Sequence, residues 1–219
     1  SWESIFSHIP GLKVISPSTA YDAKGLLISS IEDNNPVIFF EHRWLYNYSD
    51  NVPSHYYKIP LGRAKKMMNG KDLTLVSFSY ATVECFNAAK LCKKFNINVE
   101  VIDLRTIKPL DYKTIYSSVK KTKRVIVVDN GFKSFSICAE IITFITESLF
   151  NELLSPPIRI GTRDIPIPSS REIAKFCYPS QYDIIRSIFK MLDKKIDIEK
   201  LKLPKFSSDI PFQDFKGPF

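Results

Sequence analysis

Glycine is scarce, with seven residues in 219, at positions 11, 25, 62, 70, 131, 161 and 217. No two stand at the spacing of a GxGxxG turn or a Walker-type phosphate loop, so dinucleotide fingerprints and P-loops are excluded. The four cysteines, at 85, 92, 138 and 177, form no CxxC pair. The three histidines, at 8, 42 and 55, form no HExxH or HxxxH pair, and together these absences argue against a zinc site. No apolar run approaches the roughly 18 residues that a membrane span needs, so a soluble chain with no membrane partner is expected. No secretory leader is seen and the first residue is Ser rather than Met, so the chain reads as an excerpt, its thiols free in a reducing compartment.

What is present is an ordinary globular balance: 44% hydrophobic and 25% charged residues exclude disorder and fibre. The formal charge of +8 raises the question of a nucleic-acid partner. The lysines are scattered, however, and interleaved aromatics are lacking. The one dense stretch, Lys120, Lys121, Lys123 and Arg124, falls at an expected helix C-terminus, where cations complement the dipole. No nucleic-acid partner is expected.

Six β-branched runs alternate with helix-period segments, which argues for an α/β fold with a mainly parallel sheet. Lys13 to Ser16 is a strand stopped by Pro17, and Ser18 or Thr19 caps a helix with Asp22 in its first turn. Val37 to Phe40 completes a βαβ unit. Residues 41–72 show no sustained period and read as a linker. Leu73 to Phe78 restarts the pattern, and the next helix turns Cys85, Ala88, Ala89, Cys92 and Phe95 inward. Val99 to Asp103 is a strand, and Asp111 caps a helix with Leu110 and Ile115 as a hydrophobic staple. Val125 to Val128 is a buried strand that turns at Asp129-Asn130-Gly131. A helix follows on Ile137, Ile141, Phe144, Ile145 and Ser148, then a strand at Ile158 to Ile160. The last helix begins at Ser180, with Asp183 at capping-box distance, and buries Ile184, Ile185, Ile188, Phe189 and Leu192. Residues 193–219 show no period and read as a tail that either lies along a surface or is partly disordered.

Several literal stretches then become recognisable: His8-Ile-Pro-Gly-Leu-Lys-Val14, Asp22-Ala-Lys-Gly-Leu26, Asp33-Asn-Asn-Pro36, Glu100-Val-Ile-Asp-Leu-Arg-Thr106, Lys108-Pro-Leu-Asp111, Ser118-Val-Lys-Lys-Thr122 and Ala139-Glu-Ile141. In order and spacing the chain resembles the C-terminal two-thirds of the β subunits of 2-oxo acid dehydrogenase E1 components, pyruvate dehydrogenase-like members of the transketolase-like thiamine diphosphate enzymes. The resemblance implies a trailing part of a pyrimidine-binding domain plus linker over 1–60, a transketolase C-terminal domain over 61–192, and the tail over 193–219. It implies decarboxylation of a 2-oxo acid by thiamine diphosphate and Mg²⁺, with acyl transfer to a lipoyl-bearing E2. The partners implied are an E1 α subunit, or the α-like half of a fused chain, and self-association through the C-terminal domain, giving a heterotetramer. The compartment implied is the bacterial cytoplasm, or else an organelle.

In the family Ser1 corresponds to the position just after a His-Ser-Gln segment whose histidine lies in the active site. Neither that histidine nor the earlier glutamate that activates the cofactor is in this sequence, so the chain is expected to supply scaffold and subunit contacts, to be inactive alone, and to contribute no catalytic or cofactor-binding residue. The alternative is a non-catalytic docking or oligomerisation module. The resemblance also implies a structural K⁺ at the turn of Ser30, Ile31, Asp33 and Asn35; on the residues alone that turn is an ordinary helix C-cap. His42 follows a strand's C-terminal end, where open α/β sheets bind ligands. It is either near the acyl pocket or a plain loop histidine. Arg105, after Asp103, is either a subunit-interface residue or half of a strand-end ion pair. Asp129-Asn130-Gly131 departs from the His-Glu-Ala-Pro that some members carry there. A Ser/His/Asp triad is formally available but lacks a GxSxG elbow.

Overall fold

The computed structural model describes residues 2–46, 48–174 and 176–195; the expected tail lies outside the described residues from 196 onward. The chain opens with helix α1 (Trp2–His8) and strand β1 (Lys13–Ile15). Pro17 cannot extend the ladder, and Thr19 then caps helix α2 (Ala20–Ile31), its hydroxyl accepting the Asp22 N–H at 3.1 Å. Strand β2 (Val37–Phe39) returns parallel to β1, in register Val14 to Ile38, which completes the expected βαβ unit.

Residues 41–72 correct the linker reading. They hold a 3₁₀ turn at Arg43–Leu45 and strand β3 (Lys65–Met68). The stretch between these is docked on α2: the Lys24 ammonium reaches the carbonyl of His55 at 3.0 Å, and Tyr57 stacks on Tyr21 with centroids 4.7 Å apart. Ile59 fills the groove that Gly25 leaves open, its side chain only 2.7 Å from where a Cβ would stand. A small core of Ile15, Leu26 and Ile59 results.

The second part follows the expected alternation: β4 (Leu73–Ser77), α3 (Ser79–Lys93), β5 (Val99–Asp103), β6 (Thr106–Lys108), α4 (Tyr112–Thr122), β7 (Val125–Phe132), α5 (Ile137–Leu149), β8 (Ile158–Thr162), the short α6 (Arg171–Ala174) and α7 (Gln181–Met191). Asp111 caps α4 through Thr114, and the Ser180–Asp183 capping box opens α7. Strand order in the five-stranded sheet is β3-β5-β4-β7-β8, with β4, β5, β7 and β8 parallel and β3 antiparallel at the edge. β4, β5 and the first part of β7 are buried on both faces, by α3 and α7 on one side and α4 and α5 on the other.

Five further details differ from the sequence reading. The expected turn at Asp129-Asn130-Gly131 lies inside β7, whose register with β8 shifts between Val128 and Phe132, so these residues bulge rather than reverse. Phe95 lies beyond the end of α3, 41% exposed, its ring edge-on to Phe189. Leu149 takes the buried position expected for Ser148, and Met191 lies deeper than Leu192. Finally, β6 falls within the expected 61–192 unit yet pairs antiparallel with β1, so the first sheet, β2-β1-β6, draws strands from both parts of the chain.

Candidate functional site

The joint between the two sheets is built from charge. Asp22, on α2 and fully buried, receives the Arg105 guanidinium at 3.0 Å and the Lys65 ammonium at 3.3 Å. Arg105 also donates from Nε and Nη2 to the Arg63 carbonyl, at 3.1 and 2.8 Å. It stands in the left-handed region (φ +58°), a turn that lets its own N–H reach the Asp103 carboxylate at 3.1 Å. Asp103 in turn accepts the Ser18 hydroxyl, and burial pushes its carboxyl up to about 7. Arg105 thus forms an ion pair within the chain, with Asp22 of α2 rather than with Asp103 at its own strand end.

The turn of Ser30, Ile31, Asp33 and Asn35 is closed by its own groups. The Ser30 hydroxyl donates to Leu26 O at 2.7 Å, and the Asn35 N–H and amide both donate to Asp33 Oδ1 at 2.9 Å. The Lys13 ammonium holds the other carboxylate oxygen. That ion pair, with the Asn35 bonds, brings the Asp33 carboxyl down to about 2. Asp33 is thus committed to Lys13 and to Asn35. The lysine-rich end of α4 is likewise engaged: Lys121 pairs with the buried Glu100, and Lys120 approaches Glu152 at 3.8 Å.

His42 stands between two cavities. One, of about 210 Å³, lies beyond the C-terminal ends of β1 and β2, among Pro17, Thr19, Ala23, Glu41, Leu45 and Tyr48. The other, of about 160 Å³, lies beyond the C-terminal end of β4 and against the bulged C-terminal part of β7, among Glu3, Ser79, Tyr80, Asp129, Asn130 and Gly131. His42 Nδ1 accepts the Trp44 N–H at 3.3 Å, which places the neutral ring's proton on Nε2; burial holds its pKa down, with Glu3 opposing. The ring stacks on Tyr80 at 5.4 Å, and Tyr80 meets the Trp44 ring edge at 5.0 Å. The Tyr80 hydroxyl donates to Glu84, a buried carboxyl that desolvation raises to about 7.

The second cavity sits at a topological switch, since the chain leaves β4 toward β5 on one side and β7 lies on the other. Sequence reasoning placed His42 near such a site but missed Ser79 and the role of Asp129. The signal for Asp129 was an acid ending an unbroken apolar strand, whereas nothing local marks Ser79. Ser79, His42 and Asp129 share this cavity, yet His42 Nδ1 is occupied by backbone and Asp129 Oδ1 by the Gly131 N–H at 2.8 Å, so no triad is assembled. Among the described residues no group of three acids, histidines or cysteines could hold a metal ion, and no helix is long and apolar enough to cross a membrane.

A sheet of this order, with paired helices on both faces and its cavity at the carboxyl edge, defines a transketolase-like α/β protein. The sequence profile of the transketolase C-terminal domain matches residues 62–184, and that of the transketolase pyrimidine-binding domain matches residues 1–49. The chain belongs to the transketolase C-terminal domain family. Similarity to E1 β subunits is extensive. The pyruvate dehydrogenase E1 component subunit β of Rickettsia bellii (strain RML369-C) is 41% identical over 191 residues, covering 87% of this chain and 59% of that one. The subunit from Porphyra purpurea is 44% identical over 189 residues, covering 85% and 57%. That from Acholeplasma laidlawii is 45% identical over 170 residues, covering 77% and 52%. The chain therefore spans between half and three fifths of these relatives. A solved structure, a split-gene transketolase described as an inactive β4 tetramer, superposes with a TM-score of 0.72 at 18% identity, covering 89% of this chain and 62% of that one; it shows the fold.

Proposed function

We propose that this chain is the C-terminal part of an E1 β subunit in a pyruvate dehydrogenase-type 2-oxo acid dehydrogenase. The observation that carries the reading is 41% identity to such a subunit across 87% of the chain. In this role the intact enzyme decarboxylates a 2-oxo acid with thiamine diphosphate and passes the acyl group to a lipoyl-bearing E2. The described residues do not fit the Mg²⁺–diphosphate end of that cofactor, having no cluster of metal-ligating side chains. Its binding groups belong, in this reading, to an E1 α subunit or an α-like half of a fused chain. This chain's share is scaffold and contact surface, with no catalytic residue of its own. Trp2 and Ile5 on α1 and Ile31 on α2 are more than half exposed, and apolar surface of this kind suits subunit contact. A K⁺ at Ser30, Ile31, Asp33 and Asn35 belongs to the same reading, held by backbone oxygens. The bacterial cytoplasm, or an organelle, is the compartment it implies.

The test is co-expression of the chain with a pyruvate dehydrogenase E1 α subunit, followed by light scattering and a thiamine diphosphate titration. The expected result is a complex containing both chains, while the chain alone takes up no thiamine diphosphate. Failure to form a mixed complex, or cofactor binding by the chain alone, overturns the proposal. A mixed complex that gains no activity when the remaining β-subunit sequence is restored identifies a docking module.

A further inference from the structure

We infer that the cavity between the carboxyl ends of β4 and β7 is a binding site for a small zwitterion of the α-amino acid class, its carboxylate on the first turn of α3 and its ammonium on Asp129. The inference does not depend on the E1 reading, because every group it uses lies on this chain. Its first support is position: open α/β sheets place ligands outside the carboxyl ends of adjacent strands where the strand order reverses, and β4 and β7 are that pair here.

The second support is the start of α3. This helix of 15 residues opens on Ser79, which turns through the left-handed region at φ +53°, so that the helical first-turn donors are those from Tyr80 onward; its N-cap, Phe78, offers no side-chain hydrogen bond. The first-turn N–H groups of any helix lack partners within it, and here Tyr80 and Ala81 of that turn line the cavity together with Ser79. Their N–H groups and the helix dipole favour a negative group. The third and independent support is Asp129, only 2% exposed and lining the same cavity. Its Oδ1 accepts the Gly131 N–H, whereas Oδ2 has no hydrogen-bond partner among the described residues. A buried carboxylate oxygen without a partner is exceptional and calls for a donor.

Charge selects the ligand. A simple anion would suit the helix end but would face Asp129, with Glu3 on the same wall. A simple cation would suit the acids but would face the positive end of α3. A molecule carrying both charges two bonds apart satisfies each wall with its own group. A cavity of about 160 Å³ accommodates roughly five water-sized groups, which limits the ligand to the smaller amino acids. Asn130 and the neutral His42 add polar edges without adding net charge.

The experiment is a titration of the ¹⁵N-labelled 219-residue chain with L-alanine, acetate and ethylamine in parallel, followed by amide NMR shifts. L-Alanine is expected to move the amides of Ser79–Ala81 and Asn130–Gly131, with at least about tenfold tighter binding than acetate or ethylamine. Asp129→Asn keeps an acceptor for Gly131 and removes the charge, so it should weaken L-alanine by about tenfold and leave acetate unchanged or improved. No shift at these amides up to about 50 mM L-alanine, or acetate binding as tightly as L-alanine, overturns the inference. The wild-type ligand series decides the matter even if the variant fails to fold.

Discussion

Replacing Asp103 with Asn should abolish much of a pH dependence that the wild-type chain carries. Asp103 ends β5, is fully buried, and titrates near 7, because burial disfavours its charged form and nearby Asp22 adds to this, while Ser18 and Arg105 oppose. In the unfolded chain the same carboxyl titrates near about 3.9. Between those values the folded state keeps a proton that the unfolded state has released. Stability is therefore greatest below the lower value, falls as pH rises, and levels off above about 7. At about 1.4 kcal/mol per pH unit the window contributes at most about 4 kcal/mol, and we expect about 2 to 4. Asparagine is neutral throughout, keeps an oxygen for the Arg105 N–H, and can donate to the Ser18 hydroxyl once that group rotates. Urea unfolding followed by circular dichroism should thus find the variant equal to wild type below about pH 4 and increasingly more stable from there to pH 8. Glu84 and Asp129, raised by burial to about 7 and about 6, titrate in the same window, but they are common to both proteins and cancel in the difference. A difference that is the same at every pH would refute the reasoning.

Three other outcomes follow from single contacts. Arg105→Ala leaves the buried Asp22 carboxylate without its guanidinium and should cost about 3 to 5 kcal/mol in chemical denaturation, whereas Asp22→Asn with Arg105→Met should recover part of that loss. Gly70 passes so close to β5 that an added Cβ would lie 2.2 Å from the Glu100 nitrogen; Gly70→Ala should lower stability by several kcal/mol, of order 3, and displace β3, read by hydrogen exchange in Lys65–Met68. Lys123 ends α4 in the left-handed region at φ +56°, so Lys123→Gly should raise stability by about 0.5 to 1 kcal/mol in the same unfolding assay.

The elements that the sequence announced are those whose signals are local. Thr19, Asp111 and Ser180 each sit three residues before the group they cap, and each cap forms. The two strands that escaped reading depend on distant partners. Lys65–Met68 is an edge strand whose lysines pair with Asp22 and Glu100, and nothing within four residues says that those acids are near. Thr106–Lys108 is three residues long before Pro109, and it becomes a strand only because β1, far away in sequence, offers it an edge. Asp129-Asn130-Gly131 has turn composition, yet parallel pairing on both sides of the bulge keeps the chain running forward.

The same distinction explains why the candidate site was half legible. His42 could be placed because it follows a strand end, a position defined along the chain. Ser79 and Asp129 come together only because β4 and β7 are neighbours, a fact of strand order rather than of any window of sequence. Arg105 finds its carboxylate only because α2 brings Asp22 to it across 83 residues, which no local window announces. That ion pair, the Ser18–Asp103 bond and the β1–β6 pairing all cross the boundary between the two matched domains. Loss of Arg105 should therefore loosen the first sheet together with the second, so hydrogen exchange in β1 ought to rise in Arg105→Ala as steeply as in β5.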